Sequence, residues 1–201
     1  MIKMAVISPH APILLPEVGS DTDREKVKKT LVSLNALGKK FQQENLDEII
    51  ISSPHEDWGF NVPLFFLAPN FKGKISPYLT SFESPVEHFV LGRKITENLD
   101  PEKAYALIAS GDLSHVLMAD GPYGYHPDGP KFDQALLKLL AEKRVPEILK
   151  LADKFPGAAD CGLRSFALAL GLLSGCAMKI NPQILSYEGP FGVGYLVARI
   201  I

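Results

Sequence analysis

The sequence predicts a single-domain α/β sandwich over residues 1–201, with a central, mostly parallel or mixed sheet flanked by helices. Three observations carry that prediction. Short, unbroken apolar runs recur at Ile2 to Ser8, Glu48 to Ser52 and Ala104 to Ala109. Strands that lack polar alternation belong to a sheet covered on both faces. Between them lie longer stretches with apolar residues at helical spacing. Finally, 201 residues that are 46% hydrophobic suffice for one sizeable core and suggest one domain.

The first strand, Ile2 to Ser8, is ended by Pro9, and the Pro- and Gly-rich run from Pro9 to Gly19 reads as loop. Thr22 and Glu25 form a capping box. Val27, Leu31, Leu34, Leu37 and Phe41 then make one apolar helical face. Glu48 to Ser52 is the second strand. Residues 56–84 resist assignment, with a short strand expected at Leu64 to Leu67 among Pro, Asn and Gly breaks. Ser84, Pro85 and Glu87 open a capped helix that should run to about Leu99, and Ala104 to Ala109 is the third buried strand. Pro130 begins a helix to about Glu142, and a shorter helix is expected from Pro146 to about Lys154. An apolar helix covers about Cys161 to Ala177. The segment "ILSYEGPFGVGYLVARII" reads as one or two strands interrupted at Gly189 and Pro190.

Charge excludes some partners. The 21 basic and 23 acidic residues leave a net charge of −2, and no run of one sign marks a nucleic-acid or anionic-membrane surface. Ser165 to Ala177 is too short to cross a bilayer. Without a basic leader or long apolar run at residues 1–9, the expected compartment is the cytoplasm. Association into a homo-oligomer is left open. Cys161 and Cys176 lack C-x-x-C spacing and read as packing thiols.

"AVISPHAPI" and "IIISSPHED" both run from an apolar strand into Ser-Pro-His, delivering His10 and His55 just past strand ends. "SGDLSH" does the same for His115. Ligands of open α/β sheets bind beyond the carboxyl ends of the strands. In the two Ser-Pro-His segments proline explains why the strand stops, but not why histidine follows. His126 lies in the Gly-rich loop "GPYGYHPDGP", and Glu188 stands at the C-terminal break. Two imidazoles and one carboxylate match the facial triad that holds Fe(II) for oxygen chemistry, so His10, His55 and Glu188 are the expected ligands. His115 and His126 are then candidates for acid, base or oxygen-positioning roles, and Asp112 could orient an imidazole. Tyr123, Tyr125 and Tyr187 could line a ring pocket. Arg164 is expected to pair with Asp160, and His88 to serve packing or surface roles.

The motifs "SPHAPILLPEVG", "SSPHED", "SGDLSH" and "SYEGPFGVGYLVA", in that order, resemble the class III extradiol ring-cleaving dioxygenases, the LigB-like family, and especially its small branch near the Memo-like proteins. The resemblance covers nearly the whole chain. It implies a LigB-like, phosphorylase/hydrolase-like sheet and an Fe(II) ion held by His10, His55 and Glu188. His115 would be the acid/base catalyst and His126 a second active-site histidine. The substrate would be a small catechol-like or aminophenol-like ring, opened with O2. Two rivals remain at this stage. One is a Memo-like metal- or ligand-binding regulatory protein without ring cleavage. The other is a zinc hydrolase, since His, His and Glu also suit Zn²⁺.

Overall fold

The computed structural model describes residues 1–201. Strand β1 (Ile2–Ser8) is followed by α1 (Asp21–Lys26), α2 (Lys28–Gln43), β2 (Glu48–Ser53) and α3 (Asp57–Leu67). Then come β3 (Lys74–Leu79), α4 (Pro85–Ile95), β4 (Tyr105–Ser110) and α5 (Asp128–Ala141). The chain finishes with α6 (Val145–Ile148), α7 (Leu151–Lys154), α8 (Leu163–Gly175) and the hairpin β5 (Gln183–Glu188) and β6 (Tyr195–Arg199). The six strands form one sheet in the order β3-β2-β4-β1-β6-β5. The first four are parallel; β6 runs antiparallel to β1 and β5 antiparallel to β6.

This is the α/β sandwich that the sequence predicts. The parallel strands β1, β2 and β4 are buried almost throughout, as their unbroken apolar runs require. A core of 25 buried residues covers one face, where α4, α5 and α8 supply Ile95, Phe132, Leu136, Phe166 and Leu172. A second core of 18 covers the other face, where α2 and α3 supply Leu34, Leu37, Phe41 and Val62. Helices α4 and α8 approach through glycine: a Cβ on Gly92 would lie 2.1 Å from the Leu168 carbonyl oxygen, and one on Gly171 2.1 Å from that of Phe89.

Several boundaries differ from expectation. The capping box that opens α1 is Ser20 with Asp23, not Thr22 with Glu25, and the helical run breaks at Val27 before α2. The expected strand at Leu64 to Leu67 is the end of α3, which tolerates Pro63 in its interior. The strand from this stretch is β3, an edge strand. There Pro77 sits without disrupting the sheet, because an edge residue can leave one side unpaired. The single helix expected from Pro146 to Lys154 is two short ones, α6 and α7. No helix is long and apolar enough to cross a membrane.

Candidate functional site

Parallel pairing puts the C-terminal ends of β1, β2 and β4 on one side of the sheet. Each strand stops at a serine, and the chain then turns over the sheet edge. Pro9 and His10 follow β1, Pro54 and His55 follow β2, and Gly111 and Asp112 follow β4. The loop before α8 closes the group by bringing Cys161 against it. That approach depends on two glycines: a Cβ on Gly111 would lie 2.2 Å from the Gly162 Cα. The Asp112 carbonyl accepts from Gly162 N–H at 2.9 Å, and Cys161 Sγ accepts from Asp112 N–H at 3.3 Å.

The donor atoms of His10, His55 and Cys161 all lie within 4.8 Å of one another, and so do those of Asp112, His115 and Cys161. The His10 and His55 rings are 5.2 Å apart between centroids, and Cys161 Sγ lies 3.4 Å from His10 Nε2. Asp112 binds the backbone N–H of His10 at 3.0 Å, and its second oxygen lies 3.9 Å from His10 Nε2. The His115 Nδ1 is bonded to the Ala159 carbonyl. Trp58, on the first turn of α3, rests against His55 with centroids 5.2 Å apart, and Tyr123 meets His115 edge-on at 5.3 Å. Both aromatics are exposed at the mouth.

Burial sets the electrostatics. Desolvation, with His55 and His115 nearby, lowers the His10 pKa to about 3, and desolvation also lowers that of His55. Both imidazoles are therefore neutral at pH 7, with a lone pair free. Burial raises the Asp112 carboxyl to about 7, partly offset by the N–H groups of His10 and Ala11. Burial and the neighbouring Asp112 push the Cys161 thiol up. Thus a buried carboxyl and a half-buried thiol sit beside neutral imidazoles, with no basic side chain to stabilise either in its ionised form. A divalent cation supplies that missing charge and displaces the thiol proton on binding, so this donor set fits a metal ion.

Cys161 is the residue that sequence reasoning missed. It lies 151 residues from His10 and is flanked by no second ligand, and a lone cysteine ahead of an apolar helix carries no metal signature. Two other expected residues lie outside the donor cluster. The Glu188 carboxylate accepts from Thr30 N–H at 2.7 Å and from its hydroxyl at 2.8 Å. It satisfies one of the unpaired N–H groups of the first turn of α2, which is why it faces the helix. His126 is exposed, its ring stacked on Gly157 and its Nδ1 accepting from Asp128 N–H at 3.2 Å. It ties the 121–130 loop to the segment before Cys161. Arg164 does not take up Asp160; its Nε donates to the Glu83 carbonyl at 2.8 Å, while Asp160 accepts from Leu163 N–H. His88 is buried and braces the loop before α4, bonded to Ser81 N–H and the Ser84 carbonyl. Tyr187 donates to Asp133 at 2.6 Å.

Comparison with known proteins adds a family. The profile described as the catalytic LigB subunit of aromatic ring-opening dioxygenase matches residues 55–198. Protein CA_C1420 of Clostridium acetobutylicum is 42% identical over 147 residues, which is 72% of this chain and 31% of that protein. The chain thus spans about a third of the length of that curated relative. The crystal structure of an uncharacterized Escherichia coli K12 protein, JW3007, superposes with a TM-score of 0.64 at 15% identity. The match covers 98% of this chain and 99% of that one, and it shows a shared fold.

Proposed function

This chain belongs to the family of LigB catalytic subunits of aromatic ring-opening dioxygenases, and from that premise we propose that it is an Fe(II)-dependent enzyme that opens a catechol-like or aminophenol-like ring with O2. The observation that carries this reading is the convergence of His10, His55 and Cys161, with Asp112 and His115 beside them, beyond the ends of three parallel strands. In this proposal Cys161 takes the place that Glu188 holds in the sequence reading. Bound Fe(II) would supply the Lewis acidity and the redox capacity that joining O2 to an aromatic diol requires.

The chain's own residues do the rest. Trp58 and Tyr123 flank the imidazoles at the mouth and offer flat apolar surfaces to a planar ring. Asp112 holds the His10 backbone in place through its N–H. His115, whose Nδ1 is taken by a carbonyl, gives and takes a proton at Nε2. The test is oxygen uptake and ring-opened product from protein loaded with Fe(II) without air, across a catechol and aminophenol panel. Turnover of at least one member supports the reading. A second reading, a zinc-dependent hydrolase, is favoured by the thiol of Cys161, a soft donor that suits Zn²⁺. Anaerobic purification that yields Zn²⁺ and no oxygen uptake would favour it.

A further inference from the structure

Two irregularities of the backbone lie next to the donor cluster, and each frees or aims a carbonyl at an imidazole. The first is Pro63, inside α3. A proline has no N–H, so the carbonyl four residues earlier loses its helical partner. That carbonyl belongs to Gly59, and it accepts instead from the hydroxyl of Ser110 at the end of β4. With its proton committed to Gly59, Ser110 Oγ can only accept from His10 Nδ1, 3.0 Å away. The second is Ala159, one of three non-glycine residues with positive φ. Lys143 and Ala177 need no special explanation, because each closes a helix: Arg144 N–H bonds back to Leu139, and Met178 N–H to Leu173. Ala159, at φ 52°, lies well past the end of α7 and closes nothing. Its carbonyl is the one that meets His115 Nδ1. A carbonyl cannot donate, so that nitrogen must carry the proton.

We propose that Pro63 and Ala159 are positioning residues that lock His10 and His115 as Nδ1–H tautomers, so that both present an Nε2 lone pair to the pocket before any ion or substrate arrives. Strain of this kind persists only where the surroundings impose it. Here they do: the Ser114 and Asp160 backbones bridge, and Asp128 grips the Gly157 N–H at 3.0 Å. For His10 the fixed Nε2 is the nitrogen that faces Cys161. The inference rests on the reading of His10 as a metal donor and His115 as the proton-handling group, but it needs no substrate to test.

The experiment is ¹⁵N NMR of the full chain labelled at its five histidines, metal-free and slightly alkaline, so that no ion dictates the tautomer. Both His10 and His115 should show a protonated Nδ1 and a bare Nε2. Pro63→Ala restores an N–H that competes with Ser110 for Gly59. It should mix the His10 tautomers and weaken Zn²⁺ binding by about 10–100-fold, the usual cost of losing an outer partner, while the melting temperature holds or rises. Ala159→Gly keeps the left-handed conformation and should leave the His115 signal unchanged, whereas Ala159→Val should shift it. An Nε2–H tautomer at either histidine in the wild type would overturn the proposal, as would a Pro63→Ala variant with unaltered tautomer and Zn²⁺ affinity. Locked tautomers in a chain that opens no ring would sink the dioxygenase reading and leave this one standing.

Discussion

Removing Cys161 and removing His55 should have the same first consequence, and removing His115 a different one. Cys161→Ser and His55→Ala should each lose most of the bound metal. His115→Ala should keep it while turnover falls by about 10²–10⁴-fold, the usual contribution of a positioned proton donor; metal analysis beside a rate assay separates them. His10, His55, Asp112 and His115 were legible because each follows a strand end, where periodicity locates residues well. Cys161 was not, since its meeting with His10 is made by a loop crossing at Gly111 and Gly162. Glu188 lies at the terminus of α2 and outside the cluster, a choice the sequence leaves open because a carboxylate at a strand end can turn either to a pocket or to a helix terminus. A buried group with no part in the cluster gives a further test. Asp133 is pushed up from 3.8 to about 7 by burial, with Tyr187 and Ser114 as its partners. The folded chain holds that proton where the unfolded chain releases it, so the stabilisation is full below about pH 4 and is lost as pH rises to about 7. The swing is up to about 4 kcal/mol. Denaturant titrations across that window should show a shallower loss in Asp133→Asn than in the wild type.

At the scale of elements, the helices α4 and α8 touch more intimately than their apolar patterns require. Alanine at Gly92 or Gly171 gains up to about 1 kcal/mol of helix propensity. It also drives a Cβ to 2.1 Å from a carbonyl of the other helix. Forcing the pair apart costs about 1–3 kcal/mol. Both variants should therefore melt earlier than the wild type, a sign opposite to that of an exposed helical glycine. Amphipathic spacing made α2 readable, and capping signals did the same for α4. Strand β3 escaped because its burial is only partial and Pro77 reads as a strand breaker, so the segment shows neither an unbroken apolar run nor a clean alternation. Helix α3 escaped because Pro63 reads as a breaker, and only the tertiary bond from Ser110 to Gly59 shows how the helix absorbs it.

At the scale of the whole molecule, Glu188 fastens the C-terminal hairpin to α2 across 158 residues of sequence. Glu188→Ala should cost about 1 kcal/mol, as the loss of a helix cap does, and leave metal content unchanged; a metal-depleted variant would return Glu188 to the ligand set. Strand β1 lies between β4 and β6, so one of its two hydrogen-bonding edges is completed only by residues 195–199. The strand that leads into His10 therefore waits, during synthesis, until β6 emerges. At ribosomal rates of roughly 5–20 residues per second that wait is on the order of ten to forty seconds. Throughout it a flat apolar ribbon offers its backbone to any other strand it meets. A nascent chain stalled before Tyr195 should therefore be captured by chaperones or aggregate, while the same chain extended through Arg199 escapes. The order in which the ribosome delivers the strands thus leaves the donor cluster unsheltered until β6 has been made.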